Sequence, residues 1–168
     1  MYIGKRNWFK RTKEDLVEAL ANIDAKLTER YDVLTNQMKV AKKALSHEKD
    51  IQLGVAKLRS SATSPSGELT GVTERHAELA TMTRKWNMVQ ENYPKIAAMP
   101  IMIKMEDKVS DIEADLEASR RFYSAVAKKF NSGIQTFPAN VAASGMHLKR
   151  FPMFEAEDRK RKNVDLDF

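Results

Sequence analysis

The chain has 168 residues, 29 of them Lys or Arg and 23 Asp or Glu, giving a formal charge of +6; 42% are hydrophobic and none is Cys. That apolar fraction supports a buried core, and the lack of Cys removes disulfides, thiolate metal ligands and thiol nucleophiles. No run of about 18 apolar residues occurs, so no segment is suited to cross a bilayer as a helix, and one domain is the default at this length.

Residues 1–13 carry Lys5, Arg6, Lys10, Arg11 and Lys13 and no acid, whereas residues 14–148 are balanced in charge. Residues 149–162 carry +3 and the last six carry −2. The sequence therefore reads as a neutral helical body with basic ends. This weighs against a duplex nucleic-acid reader, which presents a basic face along an ordered element. The opening segment, 1–11, alternates Tyr2, Ile3, Trp8 and Phe9 with cations. Aromatic rings favour the headgroup level of a bilayer, and cations are drawn to an anionic surface. Lys5, Arg6, Trp8, Phe9, Lys10 and Arg11 are thus the expected contact residues for a membrane surface or a partner. No apolar stretch of signal-peptide length follows them.

A helix is expected from Thr12, with Thr12 as its N-cap and Glu14 and Asp15 in its first turn. Apolar residues then recur in steps of three and four: Leu16, Leu20, Ile23, Leu27, Tyr31, Leu34, Met38, Ala41 and Leu45. This is a heptad-like seam, and it resumes at Ile51, Val55, Leu58 and Ala62. The Ser, Thr, Pro and Gly cluster of residues 63–71 predicts a turn. A second helix is expected over Val72 to Tyr93, with Leu79, Met82 and Trp86 on its stripe, and Pro94 ends it. The third carries Met105, Val109, Ile112, Leu116, Ser119, Tyr123, Val126 and Phe130, and ends near Gly133. A short helix fits Ala139 to Ser144. Phe137, Pro138, Phe151 and Phe154 are expected to fold an extended tail over a bundle end, before a polar tail at 155–168.

Stripes this narrow must be buried on neighbours. The expectation is an all-α fold: a long antiparallel coiled-coil-like bundle of three long helices, a short helix and an extended C-terminal tail, with the bundle over 12–154. The first helix outruns its partners, which argues for self-association.

The residues also carry a family resemblance. Ile23-Asp24-Ala25-Lys26-Leu27, Arg30 and Asp32-Val33-Leu34-Thr35-Asn36 are followed by Ala44-Leu45-Ser46-His47-Glu48. Then come Ala56-Lys57-Leu58-Arg59-Ser60, Glu91-Asn92-Tyr93-Pro94, Arg120-Arg121-Phe122-Tyr123, Phe130-Asn131, Phe137-Pro138-Ala139-Asn140, Phe151 with Phe154, and Val164-Asp165-Leu166-Asp167-Phe168. In this order they resemble the LemA family of bacterial proteins. The resemblance implies long helical bundles without assigned catalysis, usually behind an N-terminal transmembrane helix. The basic aromatic segment 1–11 is expected to take that helix's place. Asn36, His47, Glu48, Tyr93, Pro94, Arg120, Tyr123, Asn131, Phe137 and Pro138 are the family-motif residues.

Catalytic and metal chemistry find little footing. His47-Glu48 lacks the second His that a zincin helix needs four residues on, because Ile51 stands there. With three His and no Glu-x-x-His repeat, a di-metal bundle site is not expected. The acids Glu106, Asp107, Asp111, Glu113, Asp115 and Glu117 read as a solvated helix face. Asn36, Tyr123 and Asn131 read as polar core positions that set helix register. The sequence thus points to a non-enzymatic helical scaffold with no cofactor, metal or small-molecule substrate. Its expected partners are other helices, including its own, and an anionic membrane surface; the expected location is cytoplasmic or peripheral to a membrane. The alternative is a nucleic-acid-associated protein using its basic termini.

Overall fold

The computed structural model of the chain describes residues 2–44 and 69–154. Among these residues there are five helices and no strand. They are α1 (Tyr2–Ala44), α2 (Leu69–Asn92), α3 (Pro94–Ala97), α4 (Pro100–Gln135) and α5 (Ala139–Gly145). The fold is an all-α helical bundle.

Helix α1 begins at Tyr2, ten residues ahead of the expected cap at Thr12. The apolar stripe explains this. Phe9 and Thr12 continue the steps of three and four upstream of Leu16, and all three are buried. The Thr12 hydroxyl donates to the Trp8 carbonyl at 2.9 Å, the bond of a Thr inside a helix rather than of a cap. Residues 2–11 are therefore helix, with one edge in the core, and not a separate segment. The predicted seam at Leu45 and from Ile51 to Ala62, His47 and Glu48, residues 63–68 of the predicted turn, and the polar tail at 155–168 lie outside the described residues; residues 69–71, expected to complete that turn, are instead the first turn of a helix, with Leu69 buried.

Helix α2 starts at Leu69 and buries Leu69, Val72, Leu79, Met82 and Trp86. It stops at Asn92 because Pro94 has no N–H to donate and restricts the residue before it. Pro94 then serves as the first residue of α3, where a missing N–H costs nothing. Pro100 opens α4 in the same way. The expected stripe of α4 is observed, with Ile112, Leu116, Tyr123 and Phe130 buried, extended at the start by Met102.

Helix α5 ends in a Schellman turn. The Leu148 N–H donates to the Ala143 carbonyl at 3.1 Å and the His147 N–H to that of Ser144 at 3.0 Å, with His147 left-handed at φ 52°. The Phe137–Pro138 peptide before the helix is cis.

The contacts define two units. The central unit is Ile23–Leu116, and the terminal unit joins Met1–Asn22 to Glu117–Phe168. In the central unit, ion pairs fix the helix directions. Asp24 pairs with Arg75 and Arg30 meets Thr83, so α1 and α2 run parallel there. Lys26 pairs with Asp115 and Glu29 with Lys108, so α4 runs antiparallel to α1. Helices α2 and α4, consecutive long helices among the described residues, therefore run antiparallel as expected. The α1 seam is covered as far as Ala41, with Val33, Leu34 and Met38 buried. Burying each such side chain contributes about 1.5–3 kcal/mol.

Candidate functional site: a cationic helical surface

The terminal unit is organised by aromatic rings. Phe9 packs edge-on against Trp8 at 4.8 Å and Phe130 at 5.3 Å, and Phe130 continues to Phe151 at 5.0 Å. Each pair adds about 0.5–1.5 kcal/mol beyond its buried area. Helix α4 approaches this cluster at Gly133, where a Cβ would lie 2.7 Å from the Trp8 ring. Glycine is required there for closeness rather than for its backbone freedom.

The tail after α5 is fastened by polar side chains of α4. The Asn131 amide donates to the Phe151 carbonyl at 2.8 Å, and its oxygen accepts the Phe151 N–H at 2.9 Å. The Tyr123 hydroxyl donates to the Pro152 carbonyl at 3.2 Å. Phe154, buried, packs on Tyr123 at 5.2 Å, and the Arg120 guanidinium lies over its ring at 5.1 Å. Tyr123 and Asn131, read from the sequence as register-setting core residues, instead hold a strap. Asn36 is exposed and accepts from Lys39 at 3.5 Å, so it sets no register in the core.

The predicted contact residues divide. Phe9 is 1% exposed and belongs to the core, and Trp8 is half-buried against Gly133. Arg6, Lys10 and Arg11 are exposed and Lys5 is half-buried. Phe137, expected to cover a bundle end, is 77% exposed; Pro138 beside it is half-buried. Tyr93 is half-buried at the α2–α3 junction, its N–H donating to the Val89 carbonyl, and Pro94 is exposed.

The structure adds charge that the sequence reading missed. Residues 118–154 contain Arg120, Arg121, Lys128, Lys129, Lys149 and Arg150 and no acid. In the terminal unit they join the five cations of residues 2–13, against only Glu14, Asp15, Glu18 and Glu117 among its described residues. The described part of that unit therefore carries +7. In the central unit eleven basic residues face eleven acidic ones among those described, for a net charge of zero. The signal was available as an acid-free run of 37 residues. Averaged over residues 14–148, it cancels against the acids that precede it.

In the central unit the expected solvated acids reach across helices. Lys26 bridges Asp115 at 2.8 Å and Glu29 at 3.3 Å, and Glu29 meets Lys108 at 3.2 Å. The hydrogen bond to Asp115, then that to Glu29, raises Lys26 above the ordinary lysine range. The bond from Lys108, then that from Lys26, holds Glu29 below the ordinary carboxylate range. Glu113 pairs with Arg30, and both line a cavity of about 180 Å³ together with Gln37, Thr83, Trp86 and Glu106. The cavity offers a compensated ion pair rather than an activated group.

Among the described residues, no group of three or more His, Asp or Glu is placed to hold a metal ion, and no helix is long and apolar enough to cross a membrane.

Comparison with known proteins agrees with the resemblance seen in the motifs. The chain is 25% identical over 165 residues to "Protein LemA" of Metamycoplasma hominis (strain ATCC 23114), covering 98% of this chain and 75% of that protein. The sequence profile of the LemA family matches residues 19–168, and the chain belongs to that family.

Proposed function

We propose that this chain is a non-enzymatic helical scaffold that rests on an anionic membrane surface through its terminal unit. The observation that carries the reading is the segregation of charge, +7 over the described residues of the terminal unit against zero in the central unit. Each Lys or Arg held near an anionic bilayer contributes about 1 kcal/mol, so a handful of exposed cations suffices for reversible docking. The central unit, neutral and cross-linked by ion pairs, is then the part left to meet other proteins.

The test is co-sedimentation of the full chain with vesicles of phosphatidylcholine, with and without phosphatidylserine. Binding is expected only with the anionic lipid. Arg6→Glu/Lys10→Glu/Arg11→Glu, all exposed positions, is expected to abolish it while helicity is kept. Equal binding to neutral vesicles, or no binding at all, overturns the reading. Light scattering on the same samples tests self-association, for which the covered α1 seam offers less support than the helix lengths suggested.

A nucleic acid is the rival partner for a cationic surface. A salt-sensitive gel shift in the absence of vesicle binding would favour it.

A further inference from the structure

Large apolar side chains are exposed at several points among the described residues, and four of them lie in the terminal unit on the first turn of α1 or on and just ahead of α5. Ile3 is 72% exposed, Tyr2 48%, Phe137 77% and Val141 57%. The first turn of α1 meets the last turn of α5: a Cβ on Gly145 would lie 2.8 Å from the Tyr2 hydroxyl. Val141 is one turn before Gly145, Phe137 lies just ahead of α5, and Ile3 adjoins Tyr2. Exposed cations lie on the same segments, with Arg6 one turn along α1 from Ile3, and Lys149 and Arg150 just past α5. The inward face of α5 is filled by Ala139, Ala142 and Ala143, all buried, so Val141 is turned away from the core.

We propose that this corner, with Phe137, Val141 and Ile3 at its tip and Arg6, Lys149 and Arg150 around it, enters the headgroup layer of an anionic bilayer. The proposal rests on the membrane reading above and adds the site and depth of contact. Cations alone would hold the unit over any polyanion. Exposed Val and Ile gain nothing from a phosphate backbone, and Phe gains only by stacking on an unpaired base, whereas all three gain transfer free energy at the boundary of acyl chains. A bilayer is therefore the occupant that uses both features.

The absence of Cys makes the test direct, because one introduced thiol carries the only label. The full chain is labelled with an environment-sensitive fluorophore at Phe137→Cys or Val141→Cys, and for comparison at Ile103→Cys, exposed in the central unit. On phosphatidylserine-containing vesicles, the first two labels are expected to shift to the blue and to be quenched by shallow lipid-borne quenchers. The Ile103 label is expected not to respond. Unlabelled Phe137→Ser/Val141→Ser is expected to bind these vesicles about tenfold more weakly or worse, with unchanged helicity. Vesicle binding with silent labels and no loss in the double variant overturns the corner and leaves surface docking standing. Loss of vesicle binding in every form overturns both readings, and a gel shift with DNA or RNA would then identify the polyanion.

Discussion

His147 occupies the left-handed position that closes α5, where glycine is the usual residue because it has no Cβ to clash. An L-residue there gives up roughly 1 kcal/mol, part of which a glycine would return as greater freedom of the unfolded chain. His147→Gly is expected to stabilise the fold by at most about 0.5 kcal/mol, seen as a slightly higher urea midpoint with an unchanged slope. The helix over Ala139 to Ser144 could be read from the sequence, but its closure could not, because nothing in the residue type His marks a C-terminal turn. Gly133 shows the converse limit. A glycine near the end of the third stripe reads as a stop, whereas α4 runs on to Gln135 and the missing Cβ makes room for Trp8. A close approach between distant residues leaves no local signature.

At the scale of the elements, the seams were legible and their ends were not. The stripes of α1, α2 and α4 follow from residue spacing, because burial on one face imposes a period on the sequence. The start of α1 was missed because cations around Phe9 hid a stripe that does continue. The strap at 151–154 illustrates what polar residues on a stripe can mean. Asn131 satisfies both backbone polar groups of Phe151, and the Tyr123 hydroxyl donates to the Pro152 carbonyl. Asn131→Ala is expected to cost about 1–3 kcal/mol, and Tyr123→Phe about 1 kcal/mol. Limited proteolysis near Phe151 should rank the two variants in that order, both above the parent chain.

The ladder between α1 and α4 makes a separate, pH-dependent contribution. A carboxylate whose pKa is lowered by folding stabilises above its unfolded value, and that contribution is lost as the pH falls through its folded value. An amine whose pKa is raised stabilises below its unfolded value, and its contribution is lost as the pH rises through the folded one. Glu29 and Lys26 are shifted in those two directions, so the ladder is complete across the neutral range and weakens at both extremes. Lys26→Met is expected to lower the urea midpoint at neutral pH. The difference should shrink in acid, once the pH passes below the range of folded Glu29. A pH-independent difference would show that Lys26 acts through packing alone. All four side chains are a third or more exposed, so the effect is small and falls with added salt.

For the whole molecule, charge segregation is the property that spacing could not reveal, because it depends on which distant segments share a unit. Residues 2–22 and 117–154 are far apart in sequence and together in the fold. Docking by the terminal unit predicts a steep ionic-strength dependence: affinity for anionic vesicles should fall at least about tenfold between about 0.05 and 0.5 M salt. The thermal unfolding midpoint should change little over the same range, since the core is aromatic and aliphatic. A vesicle affinity indifferent to salt would place the binding in apolar contacts alone.

The division into a contiguous central unit and a split terminal one also sets an order of events during synthesis. Chains emerge at about 5–20 residues per second, and residues 23–116 leave the ribosome as one uninterrupted stretch. Residues 2–22 leave before them and then wait for residues 117–154, across a separation whose closure entropy grows with its length. The rings that bury Phe9, the strap on Asn131 and the pooled cations all require that late return. A nascent or C-terminally truncated chain therefore lacks the rings of residues 130 and 151 that pack around Phe9 and the six cations of residues 118–154, and under the proposed docking mode its affinity for anionic lipid is expected to fall short of that of the complete chain.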